Sequence, residues 1–227
     1  MLQGYERELL VFVQAGGSPR GREFASKYAD TIIATATGIE GMKAYRDDVR
    51  ARMVMHGRKP DDCKVLFLVS PILGDTEEEA HRKRQAMIEA PDYIEETLIG
   101  ISSITEVDFS VFDLDAPLPA ITTNGERGSL DKFAQWGSGK TLRQLVAERV
   151  DRSIELVGTP DQVADRMGAV MEEVGGDGFL ITRPGQTGLT RKYILEITDG
   201  LVPALQRRGL ARTDYTHTHF RDNLLEF

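Results

Sequence analysis

The feature that most constrains this chain is a set of short, unbroken apolar runs, each leading through a turn into a helical pattern. In residues 64–73 (KVLFLVSPIL), Val65, Leu66, Phe67, Leu68 and Val69 follow one another with no polar interruption. A half-buried strand would alternate. A continuous run suits a strand covered on both faces, the condition of a parallel sheet flanked by helices. Residues 9–13 have the same character, between Glu8 and Gln14-Ala15-Gly16-Gly17, and residues 31–34 and 179–181 are shorter candidates.

Helix signals lie between these runs. Ser18 is a good N-cap and Pro19 suits the first helical position, with Phe24, Ala25 and Tyr28 as an apolar stripe. Residues 40–56 read as a helix stopped by Gly57. Gly74-Asp75-Thr76 opens another, with Glu77, Glu78 and Glu79 early and Arg82, Lys83 and Arg84 later, an order that complements the helix dipole. Thr159-Pro160-Asp161-Gln162 is a capping box, followed by the stripe Val163, Met167, Val170, Met171 and Val174 and stopped by Gly175-Gly176. Leu142, Leu145, Val146 and Val150 suggest a short helix, and Ile194, Ile197, Leu201 and Leu205 a final one before Gly209. Over residues 90–139 the period is lost among Pro91, Pro117, Pro119, Gly125 and Gly128, and this stretch reads as an insertion. Alternation of strand and helix predicts an α/β protein with a parallel sheet.

Composition narrows the function classes. With 227 residues and 41% hydrophobic content the chain has material for a core, and a net charge of −8 argues against binding nucleic acid through a broad basic face. The single cysteine, Cys63, cannot form an internal disulfide, which points to a reducing, cytoplasmic setting. The apolar stretches are too short to cross a membrane, and residues 1–13 do not read as a signal peptide.

The most chemical segment is Gln14-Ala15-Gly16-Gly17-Ser18-Pro19-Arg20-Gly21. A strand ending in two glycines and opening a helix offers close backbone approach and free N–H groups, a combination that receives phosphate. A reinforcing Glu or Gln is missing at the third helical position, where Gly21 stands between Arg20 and Arg22. The alternative is an ordinary capped helix after a tight turn. Gly137-Ser138-Gly139-Lys140-Thr141 invites a nucleotide-binding reading, but Ala134 occupies a position where that motif needs glycine, so a loop and a helix capped near Ser138 or Thr141 fit better. His217 and His219 lack an accompanying acidic or cysteine cluster, which argues against zinc. His56 and His81 read as surface residues and Cys63 as an inert, half-buried thiol. No Ser/His/Asp triad can be assembled.

Several segments together resemble the flavin-dependent, luciferase-like monooxygenases, in particular the two-component group of nitrilotriacetate, dimethyl-sulfide and dibenzothiophene-sulfone monooxygenases. They are VFVQAGGSPRGREFASKYAD (residues 11–30), KVLFLVSPILGDTEEEA (64–80), DLDAPLPAITTNGERGS (113–129), VGTPDQVADRM (157–167), DGFLI (177–181) and LVPALQRRGLARTDY (201–215). The resemblance implies a (β/α)8 TIM barrel with its chemistry at the C-terminal ends of the strands. Residues 11–15, 31–34, 64–73 and 178–181 would then be its fifth to eighth strands.

On that reading residues 1–227 form one partial barrel domain, its C-terminal half, with residues 90–139 as an insertion before the last strand-helix unit and over part of the pocket mouth. The resemblance places the FMN-phosphate serine on Ser18, with Gly16 and Gly17 giving the phosphate room. It implies reduced FMN from a separate flavin reductase, O2 as co-substrate and oxygenation of a small organic molecule, with the flavin doing the hard chemistry. The family's upstream flavin contacts have no counterpart here, so the expected partners are the reductase, a separate N-terminal half and further copies in a homo-oligomer, with no nucleic acid and no membrane. Alternatives are a non-catalytic half barrel that keeps only a phosphate site, and a deazaflavin in place of FMN.

Overall fold

The computed structural model describes residues 10–122, 139–148, 153–184 and 190–226. In chain order the first units are β1 (Val13–Ala15), α1 (Pro19–Tyr28), β2 (Thr31–Ala34), α2 (Gly38–Met55) and β3 (Lys64–Val69). Then come β4 (Ile72–Leu73), α3 (Glu77–Glu89), α4 (Pro91–Thr105), a 3-10 turn (Phe109–Val111) and α5 (Leu142–Glu148). β5 (Val157–Gly158), α6 (Pro160–Val174) and β6 (Phe179–Ile181) follow. The chain closes with α7 (Arg191–Leu195), a π-helical segment (Glu196–Leu201) running on into α8 (Val202–Arg207), and α9 (Phe220–Leu225).

The main sheet has four parallel strands in the order β1-β2-β3-β6. Val13 lies opposite Thr31, Thr31 opposite Lys64, and Phe67 opposite Phe179. β4 and β5 form a separate parallel pair. The expected α/β architecture with a parallel sheet is therefore present.

Register divides the side chains between two faces. Ile32, Ala34, Val65, Phe67 and Val69 point into a core shared with α1, α2, α6 and the π segment, where Ala25, Met42, Val49, Met167, Val170 and Leu201 are buried. The alternate positions, Val13, Ile33, Leu66, Leu68 and Leu180, form the opposite face, and none of these five is buried. Toward the C-terminal ends of the strands this second face is apolar and open; nearer their N-terminal ends it carries Thr31 and Lys64, both buried.

Three expectations need correction. The first strand is Val13–Ala15 and not residues 9–13, and it is not covered on both faces: Val13 is 54% exposed, because β1 is an edge strand with the open face beside it. The run 64–73 is split, since Pro71 has no N–H for the ladder and the chain turns after Val69 to pair Ile72 with Val157 instead. The helical period is not lost after residue 90: Pro91 starts the 15-residue helix α4, which buries Tyr93, Thr97, Leu98 and Ile101. With Phe109, Leu142, Leu145 and Val146 these residues build a second small core, which strand-helix alternation alone does not foretell. Val150 lies outside the described residues.

Other boundaries fall where capping chemistry puts them. Thr159 and Gln162 make both reciprocal bonds of the capping box, and Gly175 ends α6 at φ +63°, where a side chain would be strained. Thr76 caps α3 through the Glu79 N–H at 3.2 Å. In α1 the buried positions are Ala25 and Ser26, while Phe24 and Tyr28 stack on each other at the surface, so the expected stripe is only partly inward.

Polar groups pin the N-terminal ends of the strands. Buried Asp30 accepts the Phe12 N–H at 3.0 Å and both Arg221 nitrogens, at 3.0 and 2.9 Å, fastening α9 beneath the sheet. Asp177 accepts the Val65 N–H at 2.9 Å and Arg50 at 3.2 Å, joining β3, α2 and the start of β6. Arg58 donates to the carbonyls of Ser26, Ala29 and Asp62, closing the end of α1. Phe67 is fully buried at the middle of the covered face and meets the Tyr45 ring edge-on. Its replacement in Phe67→Ala should lower unfolding free energy by about 3–5 kcal/mol, read as a drop in urea midpoint at constant m-value.

Candidate anion-binding site at the C-terminal ends of the strands

Because all four strands run parallel, their C-terminal ends share one side of the molecule. There β1 ends at Ala15, and Gly16-Gly17-Ser18 turns the chain into α1. Ser18 adopts the extended backbone of an N-cap (φ −70°, ψ 153°), and its Oγ accepts the Gly21 N–H at 3.1 Å. The first helical bond runs from the Arg22 N–H to the Ser18 carbonyl at 2.9 Å. Pro19 has no N–H, and the Arg20 N–H has no intramolecular acceptor among the described residues. The exposed tip therefore offers the Arg20 N–H and the Ser18 hydroxyl proton at the positive end of a ten-residue helix.

Glycine at the third helical position has a local reason. A Cβ on Gly21 would stand 3.2 Å from Ser18 Oγ and 3.6 Å from Gly16 Cα, so a side chain would crowd both the capping hydroxyl and the loop. The three residues singled out from sequence, Gly16, Gly17 and Ser18, form one continuous turn whose tip is open to solvent at Ser18.

The loop is held from below by a residue that motif spacing does not reveal. Tyr45 of α2 donates its hydroxyl proton to the Gly16 carbonyl at 2.7 Å, across 29 positions of sequence. Burial pushes the Tyr45 phenol well above its ordinary value, so it stays a donor. A polar-tipped aromatic on the buried stripe of a helix was the available signal, but nothing in sequence names its acceptor.

The flanking charges divide unequally. Arg22 does not stand ready for a guest: it lies over the Tyr45 ring at 5.3 Å and pairs with Asp48 at 2.6 Å. That pair begins a chain of ion contacts linking α1 to α2, from Asp48 to Arg52 (3.0 Å), to Glu23 (2.9 Å) and to His56 (2.7 Å). Arg52 first and His56 second hold the Glu23 carboxyl below its usual range. Arg20, in contrast, is exposed beside Ser18.

The remaining sequence candidates resolve as structural features. Thr141 caps α5, accepting the Gln144 N–H at 3.3 Å while Gln144 accepts the Thr141 N–H at 2.9 Å; Ser138 lies outside the described residues. His217 faces Glu226 at 3.7 Å, and among the described residues no group of three or more His, Cys, Asp or Glu could hold a metal. No described helix is long and apolar enough to cross a membrane. Cys63 is fully buried, not half-buried, and burial pushes its thiol up to about 12.

Fold and site together define an α/β protein with a parallel sheet and a glycine-rich turn, capped by Ser18, at the carboxyl ends of its strands. Comparison with known proteins makes the assignment specific. The family described as luciferase-like monooxygenase matches residues 7–178, and the chain belongs to that family. Nitrilotriacetate monooxygenase component A of Aminobacter aminovorans is 32% identical over 94% of this chain and 48% of its own length. Among solved structures, DmoA from Hyphomicrobium sulfonivorans superposes with a TM-score of 0.77 at 30% identity, over 95% of this chain and 45% of that one. A riboflavin lyase solved with modified FMN and riboflavin gives a TM-score of 0.78 at 28% identity, over 95% and 47%. The chain spans about half the length of the relatives it matches.

The buried thiol supplies a direct check. Native protein at pH 8 should leave Cys63 unmodified by an aromatic disulfide reagent, and urea-unfolded protein should react fully; rapid native reaction would contradict the burial. Because the folded thiol titrates near 12 and its ordinary value is 9.0, this group's contribution to stability is complete below about pH 9. It falls as pH rises from there toward 12, which a series of urea midpoints would record.

Proposed function

We propose that this chain supplies the fifth to eighth strand-helix units of an FMN-dependent monooxygenase barrel, with β1, β2, β3 and β6 as those strands. The observation that carries the proposal is the open apolar face of Val13, Ile33, Leu66, Leu68 and Leu180. Parallel sheets are covered on both faces, and in a closed barrel the second face turns inward onto the strands across the axis. Among the described residues the sheet has edges at β1 and β6 and does not close. A groove of about 510 Å³ runs beside β6, walled by Phe179 and Ile181, by Met167 and Met171 of α6, and by Leu205 and Phe220 from the C-terminal segment. An additional strand at that edge would meet apolar surface along its length.

The turn at Ser18 fits a phosphate. Its hydroxyl and the Arg20 N–H donate, the helix dipole favours negative charge, and Gly16, Gly17 and Gly21 carry no side chain in the way. Bound FMN, delivered reduced by a separate flavin reductase, supplies the oxygen-activating chemistry on a small organic substrate. The chain's own residues contribute positioning. Ser18 fixes the phosphate end, Tyr45 keeps the Gly16 carbonyl turned away from the anion, and α4 with its small core shields one side of the mouth. Four further strand-helix units complete the barrel, either within a longer polypeptide or as a separate one.

The test is flavin absorbance retained after gel filtration, with the 227-residue chain alone and after co-expression with the first four units of a related barrel. FMN should be retained only by the combined species, and Ser18→Ala in that species should weaken FMN about tenfold while leaving riboflavin binding unchanged, since one charge-assisted hydrogen bond is lost. Stoichiometric, tight FMN binding by the chain alone would overturn the half-barrel reading.

A further inference from the structure

A second concave site lies at the carboxyl end of the sheet, away from the Ser18 turn. It is a crevice of about 470 Å³ between the Pro71–Leu73 turn, α3, Arg183-Pro184 after β6, and α7, within the range that holds small organic ligands. Ile72, Ala86, Met87 and Pro184 give it an apolar floor. Lys83, Arg183 and Lys192 line it against one acid, Glu196, in a protein whose net charge is −8. A concentration of positive charge over apolar surface in an acidic chain is a specific local arrangement.

The polar groups around the crevice are organised. Lys83 donates to the Leu73 carbonyl at 2.7 Å and lies 3.0 Å from Glu196 and 3.1 Å from Glu79, which fixes it in the wall. Tyr193 donates to the Thr182 carbonyl at 2.8 Å, so its ring is a fixed surface between α7 and the end of β6. Lys192, 76% exposed and 3.9 Å from Glu196, stands at the rim.

Backbone geometry adds an independent observation. Glu196 is the first residue of the π-helical segment that interrupts the otherwise continuous α7–α8 stretch. Such widened turns are rare and occur frequently at functional sites. This one is seated firmly, since a Cβ on Gly200 would stand 3.2 Å from Pro160 Cγ.

We infer that this crevice binds an organic carboxylate with an aliphatic body, its head group drawn to Lys192 at the rim within the positive field that Arg183 adds, and its chain laid over Ile72 and Met87. The local positive charge attracts the carboxylate, and the apolar floor rewards the hydrocarbon. The inference stands apart from the flavin reading, because binding is measured without flavin.

Octanoate, 1-octanol and acetate are the probes, titrated into the full chain by calorimetry and by amide chemical shifts. Octanoate should bind saturably and move the amides of Lys192, Tyr193 and Glu196, with 1-octanol and acetate each about tenfold weaker. The double variant Arg183→Gln/Lys192→Gln should weaken octanoate about tenfold or more, and Lys43→Gln/Arg166→Gln, the same loss of two charges on exposed parts of α2 and α6, should not. Should the double variant fail to fold, Lys192→Glu at the exposed rim must give the same loss. Equal binding of 1-octanol, shifts confined to the open face of the sheet, or indifference to the charge at residue 192 would overturn the inference.

Discussion

A parallel sheet needs cover on both faces, and in this molecule one face has it and the other does not. The covered face organises the helices. Ile32, Val65, Phe67 and Val69 present a continuous apolar surface, and α1, α2 and α6 lay their buried stripes across it. Helix positions then fix where the connecting turns emerge, and with them the Ser18 turn and the crevice near α7. The open face explains the exposure of Val13 and Leu180, the edge position of β1 and the groove beside β6. A residue whose pattern demands burial and whose surroundings leave it in water marks a surface made for another surface.

The two ends of the strands carry different kinds of interaction. At the N-terminal ends, Asp30 and Asp177 each combine a backbone N–H at or just before the start of a neighbouring strand with an arginine from a distant helix, and Arg58 fastens four carbonyls. Such satisfied, largely buried pairs hold geometry, since loss of one partner strands the other charge. At the C-terminal ends Ser18, Arg20 and Lys192 are instead exposed, and Arg183 lines the crevice near α7. Barrels divide labour the same way, with stability at one end and chemistry at the other.

Much of this was readable in advance, for local reasons. Thr31–Ala34 and Phe179–Ile181 fall where apolar runs between turn signals put them, and Thr76, Thr159 and Ser18 cap helices because their side chains bond N–H groups three residues away. The turn at Ser18 was legible because its glycines, cap and proline are contiguous. What sequence missed depends on distance along the chain. Tyr45 reaches Gly16 from 29 residues away, Arg22 is occupied by Asp48 from 26 away, and the crevice gathers residues from 71 to 196. The missed period over residues 91–105 was of another kind: a helix whose stripe of Tyr93, Thr97, Leu98 and Ile101 includes polar members packs against a small core of its own, and the prolines and glycines around it masked the period.

β4 has only two residues, yet they belong to different neighbourhoods: Ile72 faces the small cluster under α4, and Leu73 faces the main core. The β5 side does the same, with Leu156 in the main core and Val157 against the small cluster. A chain organised so can change one compartment while conserving the other. Tyr93, Leu98, Phe109 and Leu142 belong to the small cluster, outside the packing of Ile32, Val65 and Phe67 in the main core. The same division makes the α4 region a separate unit of local opening, able to loosen while the sheet beneath it stays folded.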